Sequence, residues 1–397
     1  MANYNLNEFK NKKIALVLSG GVVKAAAWHI GVTLALEELG FTLKSNKNSD
    51  SLELDIDRPL EVSTYVGSSA GAMISIFLAS GYTPQEIING AFGLKKTSMK
   101  KLSYKDMFFL HKNSYTPKLS GISNPFEDFP GFFKSLAKPF TSFPGPFSTE
   151  GVRRYLVDHI LEVDSFEDFI PDLFIVGSQL DNSMKSIFGR YNYPNPSHDP
   201  TAVYETGIKV STAAAASMSV PPFYAPFPVI NPSTKQTNYY IDGEIRETLS
   251  THVAEDNGSD IIISSWTHTP YHYHDEVGSL INYGLPSIAI QSIYLLIQKK
   301  IVSSRAQRAT GIDILNTVNQ YMKSEKFSPK HTRDILAILE RKMHINPKVK
   351  LIDIYPDHHD YKLFFANSFS LNPNVASHAV KAGYKKAMQV LSQPEFL

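Results

Sequence analysis

The sequence predicts an α/β protein with three layers, in which a mostly parallel central sheet carries helices on both faces. Two consecutive strand-turn-helix units predict it. In the first, the apolar run "IALVL" at residues 14–18 precedes a glycine pair and an Ala/Leu-rich helix that ends at Gly40. In the second, "EVSTYVG" is typical of a strand and "SAGAMISIFLASG" of a helix. Such units favour parallel strands, because each helix returns the chain across a face of the sheet.

Later segments continue this pattern toward the end of the chain. Further strands are expected at residues 172–180, 260–265 and 350–356, and helices over 281–343 and 374–392. Neither a repeat of solenoid length nor a convincing linker divides the chain. We therefore expect a single domain over residues 1–397.

One segment, residues 104–147, departs from this pattern because it is rich in Phe, Pro and Gly. A loop of this length inside a compact domain is usually functional. Two interpretations stay open for this insertion. Its phenylalanines pack back on the domain, or the segment forms a lid or a surface that contacts a membrane.

Composition excludes several classes of protein. The 397 residues are 43% hydrophobic and 19% charged, which is ordinary for a globular enzyme and too apolar for intrinsic disorder. The net charge of +1 provides no strong field for nucleic acid, so we expect no nucleic-acid partner. Cysteine is absent, which excludes disulfides, thiolate metal ligands and cysteine nucleophiles.

Targeting signals are not evident either. The polar start "MANYNLNEFKNKK" lacks the pattern of a secretory signal. The most apolar window, residues 285–297, is short for a membrane span and contains Pro286 and Gln291. We expect neither a signal peptide nor a transmembrane helix, and a cytoplasmic or peripheral membrane location, with non-classical export left open.

A G-x-S-x-G pattern marks the second strand-turn-helix unit, with Gly67, Ser69 and Gly71 in register. Small residues permit a tight turn that projects the serine oxygen at the N-terminus of a helix, where the dipole favours negative charge. The flanking strand and helix stand in the required order. The pattern therefore indicates a nucleophilic serine rather than a simple helix cap.

Two further motifs complete the candidate site. Gly20 and Gly21 follow a strand and open a helix, so their amides can face an anion such as a developing oxyanion. Their spacing matches neither common phosphate-binding motif. Asp242 precedes Gly243 in "YYIDGEIRE", where a turn would leave the carboxylate facing outward, although Asp-Gly is also a common hairpin turn.

Taken together, these motifs resemble those of the patatin-like phospholipase family. The three blocks stand in the family's order: "GGVVK" at 20–24, "GSSAG" at 67–71 and Asp242-Gly243. Supporting stretches are "ASMSVPPFYAPF" ahead of the aspartate and the closing "FSLNPNVASHAVKAGYKKAMQVL". The resemblance extends from about residue 14 to about residue 392.

The resemblance implies a lipid acyl hydrolase that needs no histidine, metal or cofactor. Ser69 would be the nucleophile and Asp242 its partner in a Ser-Asp dyad. The amides of Gly20, Gly21 and Val22 would form the oxyanion hole, and Lys24 would add positive charge. An acyl-enzyme formed from a phospholipid or related acyl lipid would then be hydrolysed by water. Gly67, Gly71 and Gly243 would support the turns.

The sequence departs from the family pattern at Val22, where the family has a third glycine. If this position needs a positive φ, a β-branched residue there is strained; if it does not, only its amide matters. Ala25 also stands where a glycine is often found. The loss of one oxyanion donor typically costs about 100-fold to 1,000-fold in rate.

Three alternatives follow from these observations. An α/β-hydrolase esterase would need a Ser-His-Asp triad, and the histidines after the aspartate are His252, His268, His344 and His378, none of which stands in a recognisable catalytic motif. An acyl-carrier transacylase would also need a histidine. The third alternative is a catalytically impaired module, disabled at Val22, that binds lipid or protein.

Histidines also raise the question of a metal site. "THTPYHYHDE" offers His268, His272, His274 and Asp275 as ligands. We expect a surface loop instead, because tyrosines interrupt the cluster and no second cluster accompanies it. His29, on the first helix, is expected to be structural.

Overall fold

The computed structural model describes Phe9, residues 11–47, 60–93, 97–112, Pro130, 144–193 and 201–391. Most of the Phe-rich segment, residues 113–129 and 131–143, lies outside the described residues. Its role as an insertion or a lid therefore stays a prediction.

A mixed sheet forms the centre of the protein. Its strands, with the separate β4–β5 pair, are β1 (Ile14–Leu18), β2 (Thr42–Leu43), β3 (Glu61–Ser68), β4 (Phe109–Leu110), β5 (Phe147–Ser148), β6 (Asp172–Gln179), β7 (Lys185–Phe188), β8 (Ala202–Glu205), β9 (Phe227–Ile230), β10 (Thr237–Asp242), β11 (Ile261–Ser265) and β12 (Lys350–Ile354). The predicted strands are confirmed to within a few residues.

The middle of the sheet is parallel, in the order β12-β11-β1-β3-β6. Beyond it, β10 pairs antiparallel with β6 and β9 antiparallel with β10. Strand β2 pairs parallel with β3. Strand β7 pairs antiparallel with β6, and β8 pairs parallel with β7. The predicted mostly parallel sheet is thus correct, with antiparallel strands added at one side.

Helices connect and cover these strands. They are α1 (Val22–Glu38), α2 (Ala70–Ala79), α3 (Pro84–Phe92), α4 (Tyr104–Met107), α5 (Glu150–His159), α6 (Val210–Ser217), α7 (Thr251–Asp256), α8 (Gly284–Ser324), α9 (Pro329–Met343), α10 (Tyr361–Phe365) and α11 (Pro373–Leu391). Short 3₁₀ turns cover Phe166–Asp168, Gly243–Ile245 and Leu280–Tyr283.

Strand β1 shows why the protein has three layers. Leu16 and Leu18 point to a core that contains α1, α2 and α11, whereas Ala15 and Val17 point to a second core with α7 and α8. Alternate residues of a strand face opposite sides, so a strand buried on both faces needs helices on both. The three-layer prediction is confirmed.

Helix α8 corrects one expectation from the sequence. Pro286 does not interrupt the apolar stretch, because it lies in the first turn of α8, where a proline's missing N–H costs nothing. The helix continues for 41 residues. Residues Leu280–Ser324 are long and apolar enough to cross a membrane by length and composition alone. The expectation that no transmembrane helix is present stays a prediction.

Candidate functional site

Ser69 lies at a strained turn between β3 and α2. Its φ of 52° and ψ of −119° are unusual for a residue with a side chain, and such strain concentrates at functional sites. The Ser69 amide donates to the Ser217 hydroxyl at 2.8 Å, and Ser217 donates to the carbonyl of Val176 at 2.6 Å. Helix α6 and strand β6 therefore hold the turn in place.

The two glycines of the predicted elbow sit against backbone. A Cβ atom on Gly71 would lie 2.1 Å from the carbonyl oxygen of Leu18, at the end of β1. On Gly67 it would lie 2.5 Å from the Cα atom of Ala72. Both distances are far below any real contact, so only glycine lets α2 approach β1 this closely.

Asp242 reaches Ser69 through the register of the sheet. Strand β3 ends with Ser68 opposite Val176, and β10 ends with Asp242 opposite the next residue, Gly177. Strand β7 pairs with the other edge of β6. Strands β3 and β10 therefore run toward each other along one edge of β6, and their ends meet.

The carboxylate of Asp242 is buried, and the amide of Glu244 donates to its Oδ1 at 2.9 Å. The Ser69 hydroxyl faces this carboxylate without a hydrogen bond of standard geometry. Burial raises the Asp242 pKa to about 6, against the lowering effect of both donors. Gly243 follows in a 3₁₀ turn, not a hairpin, and a Cβ there would lie 2.3 Å from the carbonyl oxygen of Val176.

The glycine loop lies on the other side of Ser69. A Cβ atom on Gly20 would be 2.7 Å from Cβ of Ser69, so the loop and the serine are in direct contact. Gly21 has a φ of 125° and Val22 a φ of 60°. The position where the family has a glycine thus needs a positive φ here too, and the β-branched Val22 occupies it with strain.

The loop amides fall into two groups. The amides of Val23 and Lys24 donate to the carbonyl of Ser368, at 2.9 and 3.3 Å. Within the described part of the chain, the amides of Gly21 and Val22 have no acceptor. These two donors are therefore available to an incoming anion.

His29 holds this loop from behind and is structural, as expected. The ring is fully buried, with Nε2 2.9 Å from the carbonyl of Ser19 and Nδ1 3.0 Å from the Ser265 hydroxyl. A carbonyl only accepts, so Nε2 carries the proton. Trp28 also donates to Ser265, at 3.0 Å. Burial lowers the His29 pKa to about 4, so the ring stays neutral.

Glu244 is a site residue that the sequence analysis missed. A Cβ atom on Gly20 would lie 2.6 Å from its Cγ, so the side chain fills the space beside Gly20 and Ser69. Both carboxyl oxygens are enclosed, and the Gly20 amide and Ser68 hydroxyl face them without a hydrogen bond of standard geometry. Burial first, and then the charge of Asp242, raise the Glu244 pKa well above its usual range. Nothing in "DGEIRE" distinguishes this residue from an exposed turn glutamate.

His268 was expected in a surface loop and instead lies buried at the same site. Its Nε2 would be 3.4 Å from a Cβ on Gly21, and its Nδ1 is 3.9 Å from Glu244 Oε2. Burial, with smaller effects from the charges of Lys24 and His29, lowers the His268 pKa to about 3. The imidazole is therefore neutral and cannot act as a strong general base.

Lys24 is buried beside this group. Its Nζ donates to the Tyr294 hydroxyl at 3.1 Å, and the His268 ring packs edge-on against Tyr294 with centroids 5.2 Å apart. The positive charge thus lies behind the glycine loop, with Tyr294 of α8 as its direct partner.

The other candidate histidines have other partners. His252 lies 3.6 Å from Glu247, and His378 lies 3.2 Å from Asp360. His344 ends α9 in a left-handed conformation. Among the described residues, no group of three or more His, Cys, Asp or Glu side chains could hold a metal ion. His272 stacks on His358 with centroids 4.1 Å apart.

Comparison with known proteins identifies the family of the chain. The family model described as patatin-like phospholipase matches residues 16–255, more than half of the chain. The chain belongs to the patatin-like phospholipase family. The matched region of this patatin-like chain contains Ser69, Asp242 and the glycine loop, and it ends before α8 begins. Membership supports lipid acyl hydrolase activity at the level of the family.

A solved structure and the curated proteins complete the comparison. The patatin-like chain is similar to VipD from Legionella pneumophila, with 15% identity and a TM-score of 0.37. The match covers 96% of this chain and 67% of that one. No curated protein matches the chain in sequence.

The strain at Val22 gives the first testable prediction. Val22→Gly is expected to be about 1 kcal/mol more stable than Val22→Ala, because the positive φ at this position strains alanine but not glycine. Urea denaturation measures the difference. The control is Ala26 inside α1, where glycine in place of alanine costs about 1 kcal/mol. A Val22→Ala protein more stable than Val22→Gly would contradict the assigned backbone conformation.

Proposed function

We propose that this protein hydrolyses fatty-acyl ester bonds of phospholipids or related acyl lipids, through an acyl-enzyme on Ser69 with Asp242 as its partner. One observation carries the proposal: a serine on a strained strand-to-helix turn faces a buried carboxylate. This pair combines a nucleophile on a tight turn with an adjacent base.

The reaction follows from these positions. As Ser69 Oγ attacks the ester carbonyl, its proton passes to the carboxylate of Asp242. The tetrahedral intermediate collapses when the C–O bond to the alcohol or lysolipid breaks and the proton moves to that leaving oxygen. Water then repeats the sequence on the acyl-enzyme, which releases the fatty acid and restores Ser69.

The glycine loop is proposed to stabilise the oxyanion. The Ser69 amide already donates to Ser217, so it contributes little to this task. The amides of Gly21 and Val22 have no acceptor among the described residues, and Gly20 would join them when the Glu244 carboxyl moves away. Val22 keeps the backbone conformation that a glycine would take, so its amide direction is preserved.

A second candidate function is an impaired module that binds lipid or protein without turnover. The position of Glu244 favours it, because this side chain fills the space that an ester carbonyl would need beside Ser69 and Gly20. Membrane contact through the Phe-rich segment 104–147 stays a further proposal.

Replacing the proposed dyad tests the main function. Ser69→Ala and Asp242→Asn are each expected to lower fatty-acid release from mixed phospholipid micelles, and turnover of a soluble p-nitrophenyl ester, by about 1,000-fold or more. His268→Gln is the control, since a Ser-His-Asp triad would need a histidine. An inactive wild-type protein would favour the impaired module, and a comparable loss in His268→Gln would contradict the dyad.

The Asp242 pKa predicts the pH profile. Only the ionised carboxylate accepts a proton, so kcat/KM for the soluble ester is expected to rise about tenfold per pH unit below about 6 and to level off above it. The profile is measured in wild type and in Glu244→Gln, which removes the second carboxyl. A profile in both proteins that is flat from pH 5 to 7 would contradict the assigned base.

A further pair of variants tests whether the volume of the Glu244 side chain, rather than its charge, limits the reaction. Glu244→Ala opens the space beside Gly20 and is expected to raise kcat/KM for the soluble ester about tenfold, because the competent conformer no longer requires this side chain to move. Glu244→Gln is the matched control, since it fills the same volume and should stay near the wild-type value. A slower Glu244→Ala protein would show instead that the carboxyl assists the reaction.

A further inference from the structure

The first half of α8, with the turn before it, forms an exposed apolar surface at residues 280–297. Its largest contributions come from Leu285, Ile281 and Leu296, which are 76%, 72% and 67% exposed. No charged residue occurs between Glu276 and Lys299. Singly exposed apolar residues are common, but a continuous uncharged surface of this kind marks an interaction site.

The opposite face of the helix is fixed to the domain. Tyr294, Ile297 and Ile301 are buried, and the last two pack in the core beneath the sheet. Farther along, Arg305 pairs with Asp353, with Nε 2.8 Å from Oδ2, and Arg308 pairs with Glu255 at 2.8 Å. Spanning a bilayer would break these contacts and bury unpaired charges, so the helix is suited to lie on a membrane rather than to cross it.

This surface is directly linked to the glycine loop. Tyr294, on the buried side of the same helical turns, accepts the hydrogen bond of Lys24 and packs against His268. The exposed face of the helix around Tyr294 therefore lies about one helix diameter, about 10 Å, from Lys24 and His268.

We propose that residues 280–297 dock the protein on the surface of a phospholipid membrane. Tyr283 within this surface and Tyr273 in the preceding loop are exposed, and the amphipathic ring of tyrosine suits the headgroup region of a membrane. Lys299 and Lys300 follow its end and match anionic headgroups. The choice of lipid over a protein partner rests on the proposed function, because the substrate is itself a membrane component.

Vesicle flotation tests this surface without turnover. The protein carries Ser69→Ala, and the vesicles are phosphatidylcholine with and without about one third phosphatidylserine. The docking variant combines Leu285→Ser, Ile288→Ser and Leu296→Ser. The matched control replaces exposed isoleucines elsewhere on the two long helices, as Ile314→Ser, Ile335→Ser and Ile338→Ser. Thermal melting verifies that both variants fold.

The docking variant is expected to lose vesicle affinity by at least about tenfold. Each apolar side chain that leaves water on docking contributes a factor of about ten to the affinity. The control should bind as the parent does, and phosphatidylserine should strengthen binding. Equal affinity of both variants would overturn the proposal. A parent protein that binds no vesicles would also overturn the proposal. This includes a parent that sediments as a dimer in which this surface is covered.

Soluble-ester turnover with Ser69 intact separates this proposal from the catalytic one. The docking variant should keep the wild-type rate on that substrate. Vesicle binding without any ester turnover would remove the catalytic proposal and leave the docking surface, whereas turnover without vesicle binding would do the reverse.

Discussion

The site depends on one constraint, the meeting of two strand ends along the same edge of β6. Parallel β3 ends at Ser68 opposite Val176, and antiparallel β10 ends at Asp242 opposite Gly177. A shift of one residue in β10 would turn the carboxylate to the other face of the sheet. The distance between Ser69 and Asp242 is therefore set by backbone hydrogen bonds of the central sheet, which are far stiffer than a surface loop.

The elements around this constraint store two kinds of unfavourable energy. Ser69 and Val22 hold positive φ angles, each at a cost of about 1–3 kcal/mol, and the carboxyls of Asp242 and Glu244 are withdrawn from water. The buried helices α1 and α2 hold both backbone positions against this strain. Strained φ angles persist only where packing of the surrounding core fixes the backbone, and the core fixes it at the ends of β1 and β3.

Local patterns explain how much the sequence could predict. The two strand-turn-helix units and the G-x-S-x-G turn depend on residues adjacent in the chain, so their positions follow from periodicity and glycine placement. The neighbourhood of Asp242 could be expected only by resemblance, because β10 is short and its antiparallel pairing with β6 is a long-range contact. The role of Glu244 and the burial of His268 were missed for the same reason. Their burial results from the packing of the turn after β10 and the loop after β11 against Gly20 and Gly21.

The same burial would allow Asp242 to serve, in the proposed dyad, where other serine hydrolases use a histidine. A free aspartate is a weak base, but Asp242, withdrawn from water, has a pKa of about 6, close to that of an unperturbed histidine. Stronger desolvation would make it more basic but leave it protonated at neutral pH. The Ser69 hydroxyl and the Glu244 amide limit this rise in the Asp242 pKa, since both donors favour the ionised form. The turn at Gly243 thus has two consequences: it brings the Glu244 amide back to the carboxylate, and it helps to keep the proposed base ionised near neutral pH.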